Sequence, residues 1–411
     1  MDTTSKPRRK ATPLGGRGPR RAKKASQRRG IRPFFYISQG NIPSRWAHSF
    51  QAMKMAEAFA GLVPGFTLFT QAHWTAPFRP RFDYESWYGL GRPLRIRRLL
   101  TQRAPYGHIF EGVRYPRFDE RAAAHAAKKG ACVYTRSTYA ARCCVQHGAQ
   151  TVVEAHLEVD HPEFEHLLAA LESESLLGVV TITPELAALY RQAGVPEERL
   201  LVWPDAVSLE SFEGLPPIPE LRRELGLPLD RRVALFCGNL YPDRGIEDVL
   251  ACAETLPNTE FVLVGGWDKD VAVWRARAAS LDNVTFTGFA RNSLVPRWLV
   301  AADVLLMPNS SKLKTASWMS PMKMFEYMAA GKPIVASHHA VLDRVLGHEE
   351  SCLFTPPDDP AAMADALRRL ARDPELCGRL GAQARRSVTP FTWANRARAI
   401  VSAFFGRYIS C

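Results

Sequence analysis

From residue 31 onward, short β-rich runs alternate with segments of helical periodicity, and this alternation occurs twice along the 411-residue chain. Chains patterned in this way fold as parallel sheets whose strands are joined by crossover helices. In the first series IRPFFYISQ (31–39), GFTLFT (65–70), ACVYT (131–135), TVVEA (151–155), GVVTIT (178–183) and LLVW (200–203) read as strands. A helix after the first strand is expected to place Trp46, Phe50, Met53, Ala56 and Ala60 on one face. Residues 204–230, rich in proline and acidic residues, break the rhythm as an interdomain connection does. The second series restarts with VALFC (233–237), FVLVG (261–265), VTF (284–286), DVLLM (303–307) and PIVAS (333–337). Its helices turn Ile246, Val249, Leu250, Ala253 and Leu256 inward, and later Met363, Leu367 and Leu370. The pattern predicts an α/β protein of two doubly wound domains with a cleft between them. Ligands on such sheets bind at the carboxyl ends of the strands.

Charge is unevenly spread. Residues 1–30 hold eleven of the 54 Lys and Arg but only one acidic group, Asp2, so most of the net charge of +13 belongs to this segment. With almost no large apolar side chains, it is expected to be a disordered basic tail. Three uses fit it. One is plain solvation, and another is attraction to an anionic inner-leaflet surface, worth about 1 kcal/mol per basic residue. Nucleic-acid binding ranks last, because the aromatics that stack on bases are missing. No apolar core follows the charges, so the tail does not read as a signal peptide, while an Arg-rich transit peptide stays open. No apolar run approaches the roughly eighteen residues of a membrane span. The eight cysteines form no CxxC pair and no His stands at finger spacing, so reduced thiols and no metal site are expected.

The most informative segment is SPMKMFEYMAAGKPIVAS (320–337). Ser320 suits an N-cap, Pro321 the first helical position, and Gly331 with Pro333 a sharp stop. A short helix so bounded offers free N–H groups and a partial positive charge at Ser320–Lys323, where phosphate binds readily. Lys323 adds a full charge, and Glu326 lies three residues on, on the same side. Together they suit a nucleoside diphosphate, the cation for phosphate and the carboxylate for ribose hydroxyls. An ordinary amphipathic helix with a Lys–Glu surface pair fits the same spacing. In GNLYPDRGIEDVL (238–250), Gly238 follows a strand and the loop delivers Arg244 and Gly245 to a helix start. Glycine permits close approach to a ligand and an Arg fork suits phosphate, while Asp243 offers Arg244 a local ion pair. Gly265-Gly266 ends another strand, and Asp268 and Asp270 beyond it are read as a solvated loop rather than a metal site. In the first half, His156 ends a strand on the cleft side. The loop GNIPSRWAHS (40–49), with Asn41, Ser44 and Arg45, lies where donor or acceptor can be contacted.

Taken in order, these residues resemble the retaining GT-B glycosyltransferases of the large bacterial family four, which includes phosphatidylinositol mannosyltransferases and many lipopolysaccharide and capsule enzymes. The resemblance is carried by Gly238…Arg244-Gly245, Gly265-Gly266, Val284–Gly288, Ala302-Asp303, Pro308 and FEYMAAGKPIVAS, and in the first half by IPSRWAHSFQAMKMAEAFA, VYTRS and VVEAH. It spans about residues 31–405. Beyond the tail (1–30), which it omits, it implies an N-terminal Rossmann-like acceptor domain (31–205), a linker (206–230), a C-terminal Rossmann-like nucleotide-sugar domain (231–388) and a final helix crossing back (389–411). It further implies that Arg244 clamps the donor diphosphate, Glu326 holds the ribose, His156 stands at the donor sugar, and Gly266 and Phe289 meet the base. Two departures stand out. The first Glu of the family's paired motif, normally at the donor sugar, falls at Trp318. A basic residue usual after the first glycine is Asn239, a loss that Lys323 is expected to replace.

The implied reaction is transfer of a sugar from a UDP- or GDP-sugar to an acceptor hydroxyl, with retention and without a metal or cofactor. His156, Arg244 and Lys323 are the expected catalytic groups. Gly238, Arg244, Gly266, Phe289, Ser320, Lys323 and Glu326 are the expected donor contacts, and Asn41, Ser44 and Arg45 form the acceptor-side loop. The run RPLRIRRLLTQR (92–103) is expected to be a basic helix, either interfacial or solvated over an apolar core face. With the tail it points to a glycan or lipid-linked acceptor and to a cytoplasmic protein at the inner face of the membrane. A GT-B-fold sugar-nucleotide epimerase and a catalytically degenerate nucleotide-sugar-binding protein remain as alternatives; nucleic acid is not an expected partner.

Overall fold

The computed structural model describes residues 32–40, 42–72, 82–100 and 118–409. The basic tail and Asn41 therefore lie outside the described residues. Seven parallel strands form the first sheet: β1 (Phe34–Ser38), β2 (Thr67–Ala72), β3 (Ile96–Leu100), β4 (Cys132–Thr135), β5 (Gln150–Glu154), β6 (Leu176–Thr181) and β7 (Leu200–Val202). Their order is β3-β2-β1-β4-β5-β6-β7. Six more form the second: β8 (Arg232–Cys237), β9 (Thr259–Val264), β10 (Val284–Gly288), β11 (Val304–Met307), β12 (Ile334–Ser337) and β13 (Leu353–Thr355), in the order β10-β9-β8-β11-β12-β13. In each sheet the chain winds outward in one direction from its first strand and then returns to wind outward in the other. The reversals, between β1 and β4 and between β8 and β11, are the topological switch points where such sheets bind ligands.

Both faces of the second sheet are covered, which is why its strands read as continuous apolar runs. Along β8, Val233 and Leu235 enter one core while Ala234 and Phe236 enter the other. The first sheet does the same with Phe34 and Tyr36 on one face and Phe35 and Ile37 on the opposite one. The Pro- and acid-rich stretch after β7 contains a helix, Ile218–Leu225, whose Leu221 is buried in the core of the second lobe. Its Arg222 pairs with Asp303 at 2.7 Å. The last helix, Trp393–Ile400, runs into a π-helical turn, Val401–Phe405, and buries Trp393, Ala397, Ile400 and Phe405 in the core of the first lobe.

Two readings of the sequence are corrected. Residues 96–100 of the Arg-rich run are the edge strand β3, not a helix, and residues 101–103 are outside the described set. The arginines and leucines that looked amphipathic at helical spacing alternate across a strand instead. Arg97 lies over the Phe69 ring and Arg98 over Tyr84 on the other face. Charges on an edge strand also discourage pairing with another chain. Trp46 is not part of the core face of its helix, which is Ala47–Leu62; it precedes the helix and is 45% exposed.

Candidate active site

The loops at the carboxyl ends of β8, β9 and β10 and the start of the helix Met322–Ala330 enclose a cavity of about 330 Å³. Gly238, Arg244, Gly266, Phe289, Ser320, Lys323 and Glu326 all line it, as does Arg45 from the first lobe. The turn that presents Arg244 depends on Gly245. This residue has φ +67°, and a Cβ there would lie 1.6 Å from the Pro308 carbonyl oxygen. Arg244 sits 3.5 Å from Asp243, so the local ion pair forms and the guanidinium still borders the cavity.

Helix Met322–Ala330 ends on Gly331 in the left-handed conformation, as its sequence required. Its start differs from expectation: no side chain caps it. Ser320 instead accepts the backbone N–H of Asp205 at 3.0 Å, tying the helix mouth to the end of the first lobe. Tyr327 fixes the helix to β8 by accepting the Cys237 N–H at 2.7 Å. The Lys323 ammonium lies 4.4 Å from the centre of the Phe236 ring. Burial first, and then the neighbouring Arg244 charge, bring Lys323 down to about 7. Burial raises Glu326 to about 7 against the opposing pull of Lys54. The cavity thus holds a basic group and an acid that both titrate near neutrality, a property of sites built to meet charge.

The structure does not bring His156 into the lining. Its Nε2 is hydrogen-bonded to the Glu154 carboxylate, which fixes the proton on Nε2. Burial, and then Arg136, lower the His156 pKa, with Glu154 opposing them. Glu154 also accepts Gln51 Nε2 at 2.7 Å and Arg396 Nη1 at 2.6 Å. Burial alone would raise Glu154; Arg396 and then His156 outweigh it and hold the carboxyl at about 2. Nor does Ser44 reach the cavity: its N–H donates to Tyr88 Oη and its hydroxyl meets Ser49.

Three features escaped the sequence reading. The first is Asp205, buried and lining the cavity, which lay hidden in a stretch read as a connector. The second is the Glu154–Arg396 pair, signalled by a carboxylate inside an apolar strand and an Arg on the buried stripe of the last helix. The third is a set of contacts across the cleft. Arg45 stands 3.5 Å from Asp268 and over the Phe289 ring, Trp46 packs on Trp267 at 4.9 Å, and Trp87 stacks on Phe289 at 5.5 Å. Asp268 opens the helix Asp268–Arg277 instead of lying in a loop.

Residues 231–373 match the family described as Glycosyl transferases group 1. The 2-deoxystreptamine glucosyltransferase of Streptomyces kanamyceticus is 28% identical over 263 residues, 61% of this chain and 64% of that protein. The lipopolysaccharide core biosynthesis glycosyltransferase LpsD of Rhizobium meliloti is 30% identical over 226 residues, 54% of this chain and 60% of that protein. The chain spans less than two thirds of the length of the curated relatives it matches. Among solved structures, the sucrose-phosphate synthase (tll1590) of Thermosynechococcus elongatus has a TM-score of 0.70 at 23% identity, covering 90% of this chain and 98% of its own. Anabaena Alr3699/HepE in complex with UDP has a TM-score of 0.69 at 15% identity, over 90% and 98%. Residues 231–373 thus carry the similarity to the group 1 glycosyltransferases, and the two parallel sheets have the GT-B architecture of these structures.

Proposed function

We propose that the protein transfers a glycosyl group from a nucleoside-diphosphate sugar to an acceptor hydroxyl, with the anomeric configuration kept and without a metal ion. The observation that carries this is the meeting of Arg244, Lys323 and Glu326 around one cavity at the switch point of the second sheet. The difficult step is departure of the nucleoside diphosphate, which gathers negative charge as the glycosidic bond breaks. Arg244, Lys323 and the first N–H groups of the helix Met322–Ala330 are already fixed where that charge develops, so little reorganisation is needed. Glu326 is the carboxylate available to the ribose hydroxyls. Attack from the face the leaving group departs lets the released phosphate take the acceptor proton. The relatives' names and the UDP complex of HepE support a nucleotide-sugar donor. A thermal-shift series with UDP, GDP, ADP and their sugars, followed by turnover with the best binder, tests the proposal. Stabilisation by none of them ends it.

An envelope glycan or lipid-linked acceptor is the reading we favour, supported by the lipopolysaccharide role in the name of one relative and by the basic segment 1–30. Binding to anionic but not neutral vesicles, lost on deletion of residues 1–30, tests a location at the inner membrane face. A second reading, nucleotide-sugar binding without transfer, is favoured by one observation. Trp318 is buried in a core cluster of the first lobe and supplies no carboxylate at the helix mouth. Nucleotide binding with neither transfer nor donor hydrolysis identifies that case.

A further inference from the structure

Asp205 lies just beyond β7, where the chain leaves the first sheet, and is 6% exposed. It borders the same cavity as Gly238, Ser320 and Lys323, and it and Glu326 are the two carboxylates in that lining. Its backbone N–H is held by Ser320 Oγ, which pins it at the mouth of the helix Met322–Ala330. Its side chain is incomplete. Oδ1 is buried and has no hydrogen-bond partner among the described residues. Nearby Glu154, equally buried, has both oxygens occupied, Oε1 by His156 and Gln51 and Oε2 by Arg396. Buried polar atoms are almost always paired, and one that is not calls for a partner the protein itself does not supply. Burial is the largest influence on Asp205 and raises its pKa against the opposing pull of His156, Arg396 and Arg136. A sugar hydroxyl both donates and accepts hydrogen bonds, so it can complete a carboxyl oxygen of this kind.

We propose that Asp205 is a ligand of the donor's sugar ring, accepting a hydrogen bond from one of its hydroxyls. The proposal rests on the glycosyl-transfer reading and assigns the side of the site that Arg244, Lys323 and Glu326 leave open. Those three come from the second lobe and account for the diphosphate and the ribose. A sugar on the terminal phosphate extends away from them toward the first lobe. Asp205 is the carboxylate it meets there, because Glu326 lies farther along the helix and Trp318 brings no acid.

The test is calorimetric titration of the wild type, Asp205→Asn and Asp205→Ala with UDP, GDP and the glucose, galactose, mannose and N-acetylglucosamine conjugates of each. The tightest conjugate is then replaced by its single-deoxy analogues. Both variants should bind the bare diphosphate as the wild type does. Asp205→Ala should lose about tenfold or more in affinity for the conjugate, the scale of a buried hydrogen bond to a charged group. One deoxy analogue should weaken the wild type by a similar factor and leave Asp205→Ala unchanged, the non-additivity of groups in contact. If Asp205→Ala does not fold, the isosteric Asp205→Asn carries the same comparison. Unchanged conjugate binding, or equal loss of diphosphate and conjugate, overturns the assignment while leaving glycosyl transfer standing. A folded wild type that binds no diphosphate and no conjugate overturns the transfer reading and this assignment with it.

Discussion

Arg396 Nη1 stands 2.6 Å from Glu154 Oε2, and neither side chain is exposed to solvent. The pair joins a central strand of the first sheet to the last helix of the chain, and the same Glu154 holds His156. Removing Arg396 takes from a fully buried carboxylate the partner of its Oε2, leaving His156, Gln51 and the more distant Arg136 on Oε1. Arg396→Met is therefore expected to cost about 3–5 kcal/mol, while Arg396→Met combined with Glu154→Leu recovers much of it. Urea denaturation of the three proteins measures this.

The same pair makes stability depend on pH. The folded carboxyl of Glu154 is held at about 2, below the ordinary value of 4.5. Between those values the unfolded chain binds the extra proton, so stability rises with pH across that window. The contribution is complete above pH 4.5 and is lost as pH falls toward 2. Denaturation midpoints from pH 2 to 7 should show the slope in the wild type, and Glu154→Gln should flatten it.

Lys323 gives a slope of the same sign at higher pH, here because its buried charge is destabilising, and ligand reverses the preference. With the folded ammonium at about 7 instead of 10.5, the empty protein holds fewer protons than the unfolded chain between those values. This group therefore makes stability rise with pH from 7 to 10.5. A diphosphate favours the charged form, so binding takes up a proton and affinity falls as pH rises through 7. Calorimetry in two buffers of different ionisation heat should detect the uptake. Lys323→Met should abolish it, weaken UDP or GDP binding by roughly 10–100-fold as a charged hydrogen-bond partner is lost, and stabilise the empty protein.

Much of this site was legible because its chemistry follows from local rules. A glycine after a strand, an arginine before Gly245, and a helix stopped by Gly331 each announce a backbone conformation, and the fold carried all three to one cavity. What was not legible depends on partners far away in sequence. Ser320 looked like a helix cap because capping is a local signal, yet its hydroxyl is used by Asp205, 115 positions earlier. His156 stood at the right end of its strand, but Glu154 and Arg396 decide where its ring points. The run 92–103 misled because arginine and leucine spaced three and four apart satisfy a helix, while pairing with β2 makes an edge strand of residues 96–100.

The aromatic contacts across the cleft predict a role in excluding water. Trp46 packs on Trp267, and Trp87 stacks on Phe289, so the first lobe meets the second beside the cavity. Trp46→Ala should loosen this side and raise donor hydrolysis relative to transfer, because closure is what keeps water from the donor. Free sugar released without acceptor, compared with product formed in its presence, gives the ratio; an unchanged ratio contradicts the role.

Asp268 and Asp270 test the proposal that transfer needs no metal. Asp268 is 88% exposed at its side chain, pairs with Arg45 at 3.5 Å and does not line the cavity. An exposed ion pair is worth about 0.2–1 kcal/mol, so Asp268→Ala should change donor affinity by less than about fivefold. The charge on the leaving diphosphate is assigned to Arg244, Lys323 and the helix N-terminus, so transfer should survive EDTA in both the wild type and Asp268→Ala. An activity abolished by chelator and restored by Mn²⁺, with Asp268→Ala inactive under either condition, would place the leaving-group charge on a metal held by this loop instead.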